Sequence, residues 1–393
     1  MFAIFATLVA IIVSALFYQS KRPNPEKIFG IYSQPGRWYY IKLAAFWTLL
    51  TLRRIKYKVA SKSSFVKFDR IQPLSNDPKA FDAVFFQAVT QDGFALAAGT
   101  ERRHQAKVNG LCYLMTPDHG LLLSEKLPKT VLEADPACIM LEKEWGAEGI
   151  KFTPVEPMKR WNISFHGKMR SFDDPSKIVN VKLDGQWTSD LPWFLFELDL
   201  PSKVIAEAIA LETWNKELFQ ALKDAHQTHY EQMGYLKVTI KIDNRVYNIK
   251  MDAFRDHSFG MKRDWTLMHR YIFHMFYLED GTRVSLGVIS QPCTSSHMTF
   301  GFMIDANKRM FAIDSCDLLL YQHAEDGTPP NNLAFTFVAN KTNYEAKIKY
   351  DVTAVHYVGN DVEAKMHERF LSCEINGVKG KGISEWHYNN VNK

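Results

Sequence analysis

From about residue 80 the chain alternates short apolar runs with turn residues: AVFFQAV before Gln91-Asp92-Gly93, then FALAAGT, GLCYLM, GLLLSEKL, ACIMLEKE, IKFTPV and WNISFHG. With no amphipathic helices between the runs, this spacing predicts antiparallel sandwich or barrel sheets rather than a parallel doubly wound sheet. Pro201 and Ser202 then open the one helical pattern of the body. Ile205, Ile209, Leu211, Trp214, Leu218 and Leu222 recur at spacings of two to four, with Lys203, Glu207, Glu212, Lys216 and Lys223 on other faces. A helix to about Tyr230 is expected, capped by Ser202 and joining two β domains. Val238, Ile240 and Ile242 alternate with Thr239 and Lys241 before Asp243-Asn244 and VYNIKM, the pattern of a hairpin. The expected organisation is mainly β, with one domain over 63–200, the helix over 201–232 and a second domain over 233–393.

Ahead of this body, residues 1–18 (MFAIFATLVAIIVSALFY) carry no charged side chain. As a helix at ~1.5 Å per residue they come close to the ~30 Å of a bilayer core, so residues 1–20 are expected to form a transmembrane helix. Residues 21–62 hold ten Lys/Arg against Glu26, a local charge of +9 within a total of +5, which leaves the remainder mildly acidic. Nucleic acid is therefore not an expected partner of the fold. By the positive-inside rule the basic segment and the body lie on the cytosolic side of a single-pass membrane protein, with the lipid bilayer as partner. Residues 38–52 (WYYIKLAAFWTLLTL), interrupted by Lys42, read as an in-plane interfacial helix held by anionic lipid; the alternative is a buried helix of the first domain. Five scattered cysteines without C-x-x-C spacing are expected to be reduced.

Signatures of phosphate loops, nucleophile elbows and zinc proteases are missing from the sequence, and no cofactor and no metal site are expected. The stretch FRDHSFGMKRDW at 254–265 instead concentrates Arg255, Asp256, His257, Arg263, Asp264 and Trp265 between apolar strands. Bare charge in a core is costly, so such a cluster either forms a salt-bridged corner or faces a cavity. In the second case Asp256 or Asp264 is a carboxyl with a raised pKa, His257 relays or orients its proton, and Arg263 keeps the other acid ionised. After Asp264, alternation puts Arg270 and His274 on one strand face and Trp265 on the other. Near the end, GKGISEWHYN places Glu385 and Trp386 beside glycines, closing a strand with Glu385 directed at an arginine of the earlier cluster.

R-D-H-S-F-G-x-x-R-D-W at 255–265, preceded by H-Y-E-Q at 229–232 and followed by L-M-H-R-Y, resembles an uncharacterised family of lipocalin-like paired β barrels. That family is similar in architecture to the carotenoid hydratase and hydroxyneurosporene synthase group. P-G-R-W-Y-Y-I-K-L at 35–43 and L-R-R-x-K at 52–56 resemble the membrane-anchored N-terminal region of arthropod phosphoenolpyruvate-synthase-like proteins, without their catalytic domains. Phe259 stands where many relatives have Trp, and Asp243-Asn244 where they have Asp-Gly. The resemblance implies two consecutive lipocalin-like antiparallel barrels behind the membrane helix. It also implies an Asp-His element able to protonate an isoprenoid double bond in an apolar cavity.

Two functions follow as expectations. The first is a membrane-anchored module that binds an apolar ligand, isoprenoid or other lipid, in a β-barrel cavity lined by Arg255, Phe259, Trp265, Arg270, His274, Glu385 and Trp386. The alternative is an acid-catalysing isomerase, hydratase or cyclase in which Asp256 donates the proton, His257 relays it, and Arg263 with Asp264 forms the electrostatic partner.

Overall fold

A computed structural model describes residue 14 and residues 19–57, 62–136, 138 and 143–391. The expected membrane helix at 1–20 lies almost wholly outside the described residues. Among the described residues no helix is long and apolar enough to cross a membrane, which leaves spans made of strands untouched.

Among the described residues, twenty strands carry the fold. In the first half they are β1 Phe81–Val89, β2 Ala95–Arg102, β3 Lys107–Thr116, β4 Gly120–Ser124, β5 Val131–Glu133, β6 Trp145–Ala147, β7 Ile150–Glu156, β8 Arg160–Ser171, β9 Ile178–Thr188 and β10 Trp193–Leu195. The hairpin β11 Gln227–Ile242 and β12 Arg245–Gly260 follows, turning at Asp243 with φ +49°, a left-handed conformation that Asp tolerates. The second half comprises β13 Arg270–Leu278, β14 Arg283–Gln291, β15 Ser295–Ile304, β16 Met310–Cys316, β17 Asn332–Ala339, β18 Thr342–Val358, β19 Ala364–Ile375 and β20 Val378–Asn389.

Every pairing between these strands is antiparallel. The last eight strands close a barrel, β20 returning to pair with β13. In the first sheet, β9 pairs with both β8 and β11, so the succession β11, β12, β1, β2, β3, β4, β8, β9 also comes back to its start. The hairpin at 227–260 therefore completes the first sheet, whereas the sequence places residues from 233 in the second domain. Its two strands are long enough to pair outward with β1 and β9 as well as with each other.

The expected helix over 201–232 is shorter and broken. After α2, Phe196–Asp199, the helices α3, Ser202–Leu211, and α4, Lys216–Asp224, are separated at Asn215, whose side chain accepts from the Leu218 amide and restarts the helix as an N-cap. By Gln227 the chain is already strand. At the front, Tyr39–Tyr57 is helical (α1, counted here ahead of α2) and packs on α3. Lys42 Nζ donates to the Glu212 carbonyl at 2.6 Å, and the Phe46 ring meets Trp214 edge-on at 5.9 Å. The segment before it is not a loose linker: Ile28, Ile31 and Tyr32 join the core of the second barrel, and the Tyr32 hydroxyl donates to Glu325 at 2.8 Å.

Alternation sorts most of the buried strand side chains into three large apolar clusters. One, with Phe86, Trp145, Trp161 and Trp187, draws its strand residues from the first sheet alone. Another, with Ile272, Phe276, Phe335, Phe337 and Trp386, draws them from the second. The third mixes both sheets, joining Tyr113 and Phe254 to Phe273, Met275, Phe302 and Phe370. The first two fill the barrel interiors, and the third is the seam between the sheets.

Candidate active site

A cavity of about 430 Å³ opens within that seam. Ala83 and Phe85 of β1, Thr100 of β2, Leu111 of β3 and Asp256 of β12 form one wall. Tyr271 and Phe273 of β13, Met298 and Phe300 of β15, His356 of β18 and Glu385 of β20 form the other. The expected barrel-cavity site is thus relocated: the barrel interiors are packed with side chains, and the space lies between the sheets.

Strand alternation determines which members of the 254–265 cluster reach this space. On β12, Met251, Ala253, Arg255 and His257 point into the first barrel, whereas Phe254, Asp256 and Ser258 point to the seam. His257 consequently cannot relay a proton for Asp256. It is sealed in a buried network, with Nε2 2.7 Å from Asp82 and Nδ1 2.6 Å from the Tyr230 hydroxyl, which also donates to Asp69 at 2.7 Å. Arg255 belongs to the same network, bonded to both Asp69 oxygens at 2.8 and 3.2 Å and to Gln232 at 3.1 Å, beneath the rings of Trp161 and Trp187. The salt-bridged-corner reading fits these two residues.

Asp256 is enclosed by protein, yet it retains accessible surface because that surface is the cavity. Burial raises its carboxyl from 3.8 to about 6; the charges of His229, Arg263 and Arg255 pull it back, Glu231 pushes it further, and no hydrogen bond is among these influences. His229 and Glu231 share its face. Glu231 stands opposite Asp256 in the β11–β12 pairing, accepts from Ser285 Oγ at 2.5 Å and lies 3.0 Å from His229 Nε2. Burial opposes an imidazolium at His229, but Glu231 and Asp256 outweigh it and raise its pKa.

On the facing wall, Glu385 accepts a hydrogen bond from the Tyr271 hydroxyl, and Glu368 sits directly across from it in the β19–β20 pairing. Cross-strand neighbours share a face, and two facing carboxylates repel. Burial raises both acids; the charge of Glu385 pushes Glu368 further, and that of Asp256 pushes Glu385 further against the Tyr271 hydrogen bond and Arg263, so the pair holds a proton under conditions where exposed glutamates hold none. Gln87 of β1 reaches across the seam to donate to Glu368 at 3.3 Å.

Arg263 and Asp264 lie at the cavity's edge, but not as a pair. Arg263 binds Glu101 at 3.0 Å, Ser258 Oγ at 2.8 Å and Gln227 at 2.9 Å, and lies 3.8 Å over the Phe81 ring. The carboxylate it holds ionised is Glu101, which Arg103 also binds; burial opposes that charge and the two arginines lower its pKa below the usual value. Asp264 caps the 3₁₀ turn Trp265–Leu267 through Thr266 and pairs with Lys79 at 2.6 Å. These bonds overcome the cost of burial and lower its pKa, so it is no proton donor. The turn also explains why alternation cannot be run from Asp264: β13 begins only at Arg270.

Of the remaining expected residues, Trp265 lines the cavity. Phe259 packs against Phe68 at 5.6 Å, away from it. Arg270, His274 and Trp386 point into the second barrel. There Arg270 binds Glu325 at 2.7 Å, His274 stacks between Phe276 and Phe335, and Trp386 donates to Ser384 at 3.0 Å. The structure thus gathers Asp256, Arg263, Asp264, Trp265 and Glu385 and separates the rest. It adds His229, Glu231, Tyr271 and Glu368; for the first two the available signal was the His-x-Glu spacing in H-Y-E-Q, two residues apart and so on one strand face, and for the last two no local signal was available.

These paired antiparallel sheets, with acids facing a seam cavity, define the class as a mainly β protein built of two large antiparallel sheets. The chain belongs to a family of unknown function, DUF8627, whose profile matches residues 4–388. No curated protein matches the sequence. Among solved structures, a candidate AttH from Nitrosomonas europaea shares the fold at a TM-score of 0.51 and 12% identity, covering 78% of this chain and 92% of that one. Kievitone hydratase from Nectria haematococca aligns at 0.44 and 11% identity, over 80% and 90% of the two chains. CghA with Sch210972 aligns at 0.48 and 10%, over 82% and 96%.

Proposed function

We propose that the protein is an enzyme that protonates a double bond of an apolar, isoprenoid-like or other lipid ligand held in the seam cavity, acting as an isomerase, hydratase or cyclase. The observation that carries this reading is the Asp256 carboxyl, which faces an apolar space with a pKa lifted to about 6. A pure binding module has no use for an acid whose burial costs stability, which favours chemistry over storage.

Asp256 in its protonated form is the donor. Its proton adds to one alkene carbon, and the π electrons form the new C–H bond, leaving a cation on the neighbouring carbon. Phe273, Phe300 and Trp265 present rings to that charge. The cation is discharged by losing a proton to Glu385, either directly or after a second double bond has attacked it, closed a ring and taken over the charge, or by capturing water, whose surplus proton then passes to Glu385; Tyr271 orients Glu385 as acceptor. At about 430 Å³ the cavity falls within the ~300–1,000 Å³ usual for small-molecule sites.

The test is incubation with C15 and C20 isoprenoid alcohols in deuterated water, read by mass spectrometry. Wild type should place deuterium on carbon, and Asp256→Asn should bind the same alcohols while losing at least ~10²-fold of that incorporation, the usual worth of a general acid. Equal incorporation by both proteins, or binding by both without incorporation by either, contradicts the reading.

A further inference from the structure

Helix α1 docks by one face only. Lys42, Phe46 and Arg54 turn inward, Arg54 donating to the Leu200 carbonyl as Lys42 does to Glu212. The outward face is apolar: Tyr40 is 78% exposed, Leu52 and Ile55 are each 61% exposed, and Ile41, Trp47 and Leu49 are exposed beside them. A contiguous apolar strip on a helix that already has its packing partner marks an interaction surface. Its surroundings suit anionic lipid, since residues 21–62 carry ten Lys/Arg against one Glu and follow the uncharged run 1–18. Tyr40 and Trp47 are the residue types that settle at headgroup level.

The cavity mouth lies beside this strip. Ring contacts at 5.9 and 5.6 Å run from Phe46 through Trp214 to Phe219, linking α1 to α4, whose Ala221 and Asp224 line the cavity. The charge of Arg53 on α1 acts on His226, which sits between the cavity-lining Ala225 and Gln227. Leu267, which lines the cavity, is itself an exposed apolar residue, so apolar surface continues from the cavity to the outside.

We propose that the outward face of α1 lies in the headgroup region of an anionic bilayer and that the adjoining mouth takes its apolar ligand directly from the membrane. The second half rests on the cavity being a ligand site, but the test reads lipid contact and uptake rather than turnover, so its failure leaves the role of Asp256 to be judged separately. Full-length protein is bound to phosphatidylcholine–phosphatidylserine vesicles whose acyl chains are brominated, and tryptophan fluorescence is compared between wild type and Trp47→Phe. Wild type should show quenching that Trp47→Phe lacks, and Leu52→Glu with Ile55→Glu should remove the same increment. cis-Parinaric acid loaded into such vesicles without bromine should enter wild type several-fold faster than the double variant. Equal quenching of wild type and Trp47→Phe, or a dimer of the chain that shields Trp47 from brominated lipid, overturns the membrane contact. Equal uptake rates overturn the route into the cavity.

Discussion

Asp256 and His257 adjoin in sequence and are separated by the strand between them. One residue along β12 carries the side chain from a seam cavity to the sealed interior of a barrel, and the chemistry changes with it. Asp256 keeps a carboxyl that burial raises to about 6, and a carboxyl whose folded pKa exceeds its unfolded value costs stability once the pH passes above the unfolded one. That cost is absent below pH 4, grows as the pH rises towards 6, and is fully present above it. Asp256→Asn is therefore expected to stabilise the protein at pH 7.5, by at most roughly 3 kcal/mol from the size of the shift, while abolishing conversion. Thermal melts at pH 4 and 7.5 check this: the gain should be present at the higher pH and shrink at the lower. A variant destabilised at both would assign Asp256 to the scaffold. Its charge was legible in the sequence. Its partners were not, because FRDHSFG reads as a turn when its strand continues to Gly260.

At the scale of elements, the alternation of Val238, Ile240 and Ile242 against Thr239 and Lys241 placed the hairpin and its turn at Asp243 correctly. Periodicity also found the helical stretch after Pro201 but ran it to Tyr230. The break was written in Asn215, whose short polar side chain caps a new helix by binding the Leu218 amide; apolar spacing continues across it through Trp214 and Leu218 and hides it. Asn215→Ala should cost about 1 kcal/mol, the usual worth of an N-cap, measurable as a lower denaturant midpoint with an unchanged slope. Residues 38–52 illustrate the converse. One face of α1 packs on α3 and Trp214, so it is not the buried helix of the first domain, and its other face is apolar and exposed.

Across the whole molecule, the site joins residues from β1, β2, β12, β13, β15 and β20, and no local pattern brings Ala83, Asp256 and Glu385 to one space. Two antiparallel β domains were legible from strand spacing, and their reading as barrels came from the family resemblance; a functional seam between them was not legible, because it arises from which strand faces remain outside two filled interiors. The same packing strips several histidines of water. Burial holds His274, His356 and His387 down to about 3, and His297 and His367 to about 4. The unfolded chain binds protons at these sites near pH 6.5 while the folded chain does not, so their contribution is lost as the pH falls from about 6.5 towards 3. The raised carboxyls Asp256, Glu368 and Glu385 act in the opposite sense and offset part of it. His274→Phe, between Phe276 and Phe335, should move the acid-unfolding midpoint seen by circular dichroism to lower pH; an unmoved midpoint would show that His274 is charged in the folded protein.

The central claim is that Asp256 holds a proton in an apolar seam at a pH where ordinary aspartates have lost theirs. Infrared difference spectra of wild type minus Asp256→Asn, recorded from pH 3 to 8, read that proton directly through the carbonyl band of the protonated acid. The account predicts a band that disappears with a midpoint near pH 6. A midpoint near 4, or no band belonging to Asp256 at pH 5, contradicts it.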